Sequence, residues 1–475
     1  MLRDIIKKEI LETITSPKFV FTFLLCVILI LLSVYTGINN YTSELHEYNT
    51  AVALNKRNLD SQSDFGALLS MGTKINKPPQ VLSSIISGIQ EAVGRRATVT
   101  TSIDPNLIDS KYNSNPVFAI FGELDLTFII KIVLSLFAIL FTYDAIVGEK
   151  ERGTLKLTLS NSIPRDRLIL GKAIGGFISL MMPLIIPLLL GLILLVIYPN
   201  ILLTGDDWIR IGLIFLMFLL YISVFFTLSL FVSARTSRSS SSLLILLFIW
   251  VTFVTVIPKA AVMVAARISP IPSVHEINAE KEEFQKEEQA KLLPEMTKWQ
   301  QEHTFQGDPG NQEQIAAYQK ELTDYIAEIQ IEFNSKVEEH NALIDEGYHA
   351  KRLKQQMLAL NFSRISPASA LMIGAMSLGK TGIEEHERFL NSIRSYKPIY
   401  SEWATNKAMK SLDFTKIAEG KMPEIDISDM PEHNFKPESL RNSFARVLPD
   451  FFIMIGFIIV FFVGAYVSFL RYDIR

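Results

Sequence analysis

The sequence predicts an all-α polytopic membrane protein: six transmembrane helices, an amino-terminal amphipathic elbow helix, and a mainly helical domain outside the bilayer that contains a long helical hairpin. Three observations carry that prediction. Hydrophobic residues fill 49% of the 475 positions against 20% charged, and mean hydropathy is +0.27, which is too apolar for an ordinary soluble chain of this length. The apolar residues gather in six blocks close to the ~20 residues that a helix needs to cross hydrocarbon, where backbone polar groups must be paired internally. Lys and Arg collect in the short segments on one side of those blocks, the side retained in the cytoplasm.

Residues 1–17 are read as an interfacial elbow helix, because Leu2, Ile5, Ile6, Ile10, Leu11 and Ile14 recur at helical spacing with Lys and Glu between them. Ser16 and Pro17 suit a sharp bend into the first span, 18–36, which lacks a convincing small-x-small cleavage site and reads as a permanent anchor. The other spans are placed at 125–147, 173–198, 208–232, 242–268 (the last part an extension) and 449–470, with a short tail at 471–475. Basic residues Arg3, Lys7, Lys8 and Lys18, then Lys150 to Lys172, then Arg235 and Arg238, then Arg471 and Arg475 all fall on one side, so both termini are expected in the cytoplasm. The loop YPNILLTGDDW, between the third and fourth spans, has no base before Arg210 and belongs to the other side.

Two long polar segments then lie outside, 37–124 and 269–448. In the first, SSIISGIQEAVG reads as a helix and RRATVTTSI as a strand. The second runs from His275 to about Leu360 in Glu- and Lys-rich sequence broken by GDPGN at 307–311, an antiparallel hairpin. Its second arm, from Gln312, would reach about 70 Å if unbroken, so it should project or break. Ile315, Tyr318, Leu322, Ile326, Ile329, Phe333 and Val337 form a stripe that buries against a partner helix.

Several classes of chemistry are excluded or weak. A net charge of −3 offers no basic face for nucleic acid. The single Cys26 permits no disulfide, Cys-based zinc site or Cys-x-x-Cys motif within one copy. The seven histidines, among them His340 and His349, lack metal-site spacing and are expected to be mostly solvated, and no catalytic or metal-binding set emerges. Lys131 lies inside the second span, about five residues from its outer end, where it is expected to snorkel; the other role open to it is a translocation path. Pro183 and Pro187 should bend the third span and mark a hinge or cavity. Gly374, Gly379, Lys380 and Thr381 in GAMSLGKT match a phosphate-loop pattern. The preceding residues are rich in Ala, Met, Leu and Ser and not β-branched, so an interfacial helix ended by Gly379 and Gly382 is expected there.

The informative stretch is YDAIVGEKERGTLKLTLSNSIPRDRLILGK, residues 143–172. A bare connection needs a handful of residues, whereas this one has charged, cap-forming and apolar faces suited to pressing into another protein, with a second helix expected to start at Pro164. GEKERGTLKLTLSNSIPRDRLILGK and, at 366–382, SPASALMIGAMSLGKTG resemble segments of the permease subunits of type-2 ABC exporters, in the subgroup with a large extracytoplasmic insertion before the last span. The resemblance implies that the elbow helix is the family's connecting helix and that Gly153 to about Ser160 is a cytoplasmic coupling helix seated in a separate ATPase. Glu149, Glu151, Arg152, Gly153, Thr154 and Leu155 would then form the ATPase-coupling interface. It further implies two copies of an ABC ATPase, a second permease (this chain or a paralogue), and a bacterial cytoplasmic (inner) membrane. ATP and Mg2+ would bind in the ATPase, with no cofactor in this chain. Membrane lipid and an extracytoplasmic partner complete the expected contacts. Two other functions remain open: a mechanical or signalling complex that moves the outer hairpin, and a nucleotide-binding protein using GAMSLGKT.

Overall fold

A computed structural model describes residues 2–61, 72–90, 93–101, 107–108, 125–160, 164–305, 312–411 and 426–472. The chain forms two compact units, Met1–Ala260 with Ser363–Arg475, and Ala261–Phe362. Among the described residues, six helices are long and apolar enough to cross a membrane: Pro17–Leu59, Leu126–Glu151, Arg165–Ile197, Gly205–Arg235, Ser239–Ile268 and Leu440–Leu470.

The first unit opens with α1 (Leu2–Ile14) and α2 (Pro17–Ser61). Ser16 makes the elbow: its hydroxyl donates to Thr13 O at 2.7 Å and accepts from Phe19 N at 3.2 Å, closing one helix and capping the next. The second helix does not stop where its apolar block ends. It continues for 45 residues, about 68 Å, although Asn39, Asn40 and Thr42 are weak helix formers. Tertiary contacts override propensity there: Ile38 and Tyr41 are buried, and Asn55 accepts a bond from Lys74 N at 3.1 Å.

Three short strands, β1 (Thr73–Asn76), β2 (Arg96–Val99) and β3 (Leu107–Ile108), pair antiparallel in the order β1-β2-β3, with Thr73 opposite Val99 and Arg96 opposite Ile108. The expected helix over SSIISGIQEAVG is instead a 3-10 turn, Val81–Ser84, followed by further turns; residues 91–92 lie outside the described set. Its backbone makes local turn bonds, such as Ile86 N to Leu82 O at 2.9 Å, and also pairs across the fold, Ile89 N donating to Thr381 O at 3.0 Å.

The second span combines α3 (Leu126–Ile129), a π-helical turn at Ile130–Leu134 and α4 (Ser135–Thr142). After it come α5 (Val147–Glu151), α6 (Thr154–Ser160), α7 (Arg165–Ile197) and α8 (Gly205–Arg235). Pro164 is the cap residue of α7, one position before the helix proper, and α7 runs unbroken through the buried Pro183 and Pro187. The fifth span is α9 (Ser239–Val251), a π-turn at Thr252–Val256 and α10 (Ile257–Ile268). α8 is the central helix of the bundle, with Phe218, Tyr221 and Phe225 fully enclosed. Lipid provides no hydrophobic drive between helices, so close packing and hydrogen bonds hold them. Gly175 on α7 shows the closeness: a Cβ there would lie 2.8 Å from Glu9 Cβ of α1.

The second unit consists of the end of α10 and two long helices, α11 (Val274–Glu302) and α12 (Gln312–Ser363). α11 begins with a reciprocal capping box between Ser273 and Glu276. The two run antiparallel: Lys281 pairs with Asp345 at 2.6 Å, His340 stacks on Phe284 at 3.7 Å, and Trp299 stacks on Tyr325 at 5.0 Å. α12 is unbroken over 52 residues, about 78 Å. The GDPGN turn lies outside the described residues.

The chain returns to the first unit through α13 (Pro367–Gly379), α14 (Ile383–Ser411) and α15 (Leu440–Leu470). α13 was expected at the interface, yet every residue of it is buried, as befits a helix apolar on all sides. The Ser366 hydroxyl caps it, accepting from Ala368 N at 3.1 Å, and donates to Phe253 O in the π-turn. That turn precedes Pro258, which has no N–H for the turn behind it. α14 lays Phe389, Ile393, Tyr396 and Tyr400 against Ile75, Ala97 and Val99 of the sheet. Next to that core sits the buried Lys77, its ammonium 6.0 Å from the Phe389 ring and 5.9 Å from that of Phe435. Burial pushes Lys77 down to about 8 and pushes the carboxyl of Glu385 up.

Candidate partner-docking site

The segment 147–160 is two short helices joined at a turn, and four elements hold it in place. Gly153 has φ +73, a left-handed conformation open to glycine, so α6 can leave α5 at a sharp angle. The hydroxyl of Ser233 on α8 accepts from both Ile146 N and Val147 N at 3.1 Å. Lys150 donates to Ala234 O and, at 3.1 Å, to Thr236 O, and its ammonium lies 5.0 Å from the Tyr472 ring. It thereby satisfies carbonyls left open at the end of α8, where the helix dipole favours a cation.

Glu149 points the other way. It accepts from Lys172 Nζ at 2.8 Å, and Lys172 also donates to Glu9 of α1 at 2.9 Å, so one enclosed ammonium joins the elbow helix, α5 and α7. Glu151 accepts from Ser239 N at 3.1 Å and from the Ser239 hydroxyl, capping the start of α9. Leu155 is the apolar anchor: fully buried, it packs with Ile146, Leu168, Ile169, Leu230 and Phe469. Arg165 fixes the opposite end, donating to Leu470 O at 2.8 Å and Tyr472 O at 3.0 Å.

What this frame leaves free is as informative as what it holds. Arg152, Thr154 and Lys156 are exposed, and Leu157 is 68% exposed on the same small helix that buries Leu155. Arg152 uses only its Nε internally, on Gly148 O at 3.1 Å. A rigid, solvent-facing helix with one bare leucine and flanking cations has the chemistry of a protein contact. The family described as ABC-2 family transporter protein matches this sequence over residues 3–474. The chain belongs to the ABC-2 transporter family.

Relatives of this ABC-2 chain include a protein of Stutzerimonas stutzeri described as a probable ABC transporter permease, NosY, 30% identical over 134 residues that cover 26% of this chain and 45% of that protein. A like-named protein of Pseudomonas aeruginosa is 48% identical over 50 residues, 10% of this chain and 18% of that one. The chain thus spans less than half the length of either relative it matches.

Of the residues singled out from sequence, Glu149 to Leu155 fall together in the ABC-2 chain, but not as one contact surface: Leu155 and Glu149 face their own fold, Glu151 is exposed but tied to Ser239, and Arg152 and Thr154 face out. Lys131 does not snorkel. It is 6% exposed, with Nζ 3.1 Å from Met372 Sδ of α13 and 5.6 Å from the Phe128 ring, because the buried α13 occupies the place where water was expected. Pro183 and Pro187 lie well along α7, apart from this loop. GAMSLGKT is the end of a helix and follows no strand; Lys380 caps α13 with φ 58, and its ammonium lies 3.6 Å from Asp207 and 3.8 Å from Asp206. Two carboxylates at that lysine repel a phosphate. The histidines are less solvated than expected: His386 is buried, and His433 hydrogen-bonds Ser392 at 3.1 Å. Among the described residues no cluster of His, Cys, Asp and Glu could hold a metal.

Sequence reasoning missed Glu9, Lys172, Ser233 and Ser239, which build the frame, and Arg210, which builds the other end. Arg210 has no exposure and donates to Asp206 at 3.0 Å, Leu378 O at 3.0 Å, Ser443 at 3.1 Å and Glu438 O at 2.8 Å. Its spacing of four from Asp206 was the one visible signal.

Proposed function

We propose that this chain is the membrane permease subunit of an ATP-driven ABC transporter, working as an exporter with two ATPase subunits and a second permease. The reading puts the end with both termini in the cytoplasm of a bacterial inner membrane, in keeping with its Lys and Arg content. The observation that carries it is the α5–α6 segment, exposed at Arg152, Lys156 and Leu157 yet fastened through Leu155 on α6 and through Glu149, Lys150 and Glu151 on α5 to α1, α7, α8 and α9. A push on this segment therefore reaches α7 and α8 directly through Leu155, and α1 and α9 through the charged side chains of α5. An ATPase that binds two arrangements of this loop with different affinity shifts the equilibrium between them. ATP and Mg2+ act in that partner, and this chain supplies contact and no catalysis.

The test is reconstitution with the ATPase in liposomes. Leu157→Ser and Arg152→Ala are expected to leave the chain folded while lowering transport-linked ATP turnover about tenfold, the size of a lost interface anchor. Unchanged turnover in both overturns the docking assignment. A second reading draws on the 52-residue α12: an ABC ATPase drives the hairpin mechanically and nothing crosses the bilayer. ATP-dependent accumulation of a cargo in the liposomes separates the two.

A further inference from the structure

A cleft of about 340 Å3 opens beside the frame, bounded by α1, the start of α2, α4 and α7. Its volume lies in the range of small-ligand sites. One wall is apolar, formed by Leu140, Phe141, Leu180, Phe226 and Leu230. Its mouth is charged, with Asp144 and Glu149 facing the basic residues Lys18 and Arg152.

The polar atoms there are unevenly matched. The donors are only partly engaged: Lys172 with Glu9 and Glu149, Arg152 through Nε with Gly148 O at 3.1 Å, and Lys18 above the Tyr143 ring at 5.8 Å. One acceptor is left over. Glu149 Oε2 is buried with no hydrogen-bond partner, and the half-buried Asp144 lines the same cleft. A buried acceptor without a donor is destabilising, so the cleft favours an occupant that brings N–H groups on a cation and a hydrocarbon chain for the apolar wall. A Cβ built on Gly148 would lie 3.4 Å from Asp144 Cβ and 3.5 Å from Arg152 Nη2, so the acidic and the basic side chain flank the same glycine. That juxtaposition matches a headgroup carrying both charges.

We propose that this cleft binds a zwitterionic aminophospholipid, its primary ammonium between Asp144 and Glu149, its phosphate at Arg152 and Lys18, and an acyl chain along Leu140, Phe141 and Leu180. Binding needs no ATPase, so it stands or falls apart from the transport reading. A lipid so placed touches the carboxylate that orders α5, which makes the loop sensitive to bilayer composition.

The experiment uses the full chain in nanodiscs holding equal phosphatidylethanolamine, phosphatidylcholine and phosphatidylglycerol, with retained lipids counted by native mass spectrometry. Phosphatidylethanolamine is expected to be retained roughly tenfold over phosphatidylcholine, whose quaternary head has no N–H, and Asp144→Asn is expected to erase most of that preference. In a Phe141→Trp chain, brominated phosphatidylethanolamine should quench the added emission more strongly than brominated phosphatidylcholine. Equal retention of the two lipids by the unaltered chain overturns the proposal, as does a preference for phosphatidylglycerol. The unaltered chain decides the question even if a variant fails to fold.

Discussion

Two segments of this protein carry Gly, Lys and Thr in close succession, GEKERGTLKL at 148–157 and GAMSLGKT at 374–381, and the fold treats them in opposite ways. In the first, the buried side chains form a frame and the remaining ones face solvent: Leu155 has no exposure while Leu157, two residues on, has 68%. In the second, the helix before the motif is buried throughout, and Lys380 turns back to Asp206 and Asp207. Beside it Arg210 holds α8, α13 and α15 together through four partners. A charged motif offers a partner something only where its own fold has left side chains over. By that measure the 148–157 segment is a contact surface and the 374–381 segment is a knot.

The sharpest way to break this comparison is to untie the knot. Arg210→Met keeps the bulk of the side chain and removes every donor, leaving Leu378 O, Glu438 O and Asp206 without their partner. Breaking a buried charged network costs ~3–5 kcal/mol, so the variant is expected to lose most of its monodisperse yield in detergent or melt well below the parent. A melting temperature within a degree or two of the parent would show that the knot is decoration. The frame should yield less. Leu155→Ala leaves a void among Ile146, Leu168 and Phe469, but α6 is only seven residues long and can shift to fill part of it. A loss of about 2 kcal/mol, the lower end for buried leucine, is expected, read as faster hydrogen exchange confined to 147–160 while α8 stays protected.

The spans were legible in the sequence because the bilayer imposes a length and a composition on each, and the hairpin because its apolar stripe repeats at helical spacing. Other features were hidden for particular reasons. Asn39, Asn40 and Thr42 argue against a helix, yet α2 continues because Ile38 and Tyr41 are enclosed by residues distant in sequence. Lys131 read as a snorkelling residue because its distance from the span end is visible locally, whereas the helix bringing Met372 to within 3.1 Å begins 236 positions later at Pro367. Glu149 and Glu151 were found as charged neighbours of a contact helix, but Lys172 and Ser239, the residues that engage them, belong to other elements. Local chemistry announces that a segment is charged; only the assembled fold tells which charges remain available.

Lys380→Ala is expected to have the smallest effect, and it tests the comparison where the two segments look most alike. The ammonium sits 3.6 Å from Asp207 and 3.8 Å from Asp206, beyond good hydrogen-bond range, with side-chain exposures of 14% for the lysine, 8% for Asp207 and 42% for Asp206. The pair with the exposed Asp206 contributes about 0–1 kcal/mol, the buried Asp207 keeps its bonds from Thr204 when the lysine is lost, and the left-handed φ of 58 at this position strains alanine much as it strains lysine. The variant should therefore melt within a few degrees of the parent. A phosphate loop would behave differently, since its lysine reaches the terminal phosphates and its loss abolishes binding. Equilibrium dialysis of the purified parent against labelled ATP and Mg2+ is expected to show no saturable uptake, with the variant indistinguishable from it. Saturable uptake by the parent that disappears in Lys380→Ala would make the knot a nucleotide site and remove the distinction between the two segments.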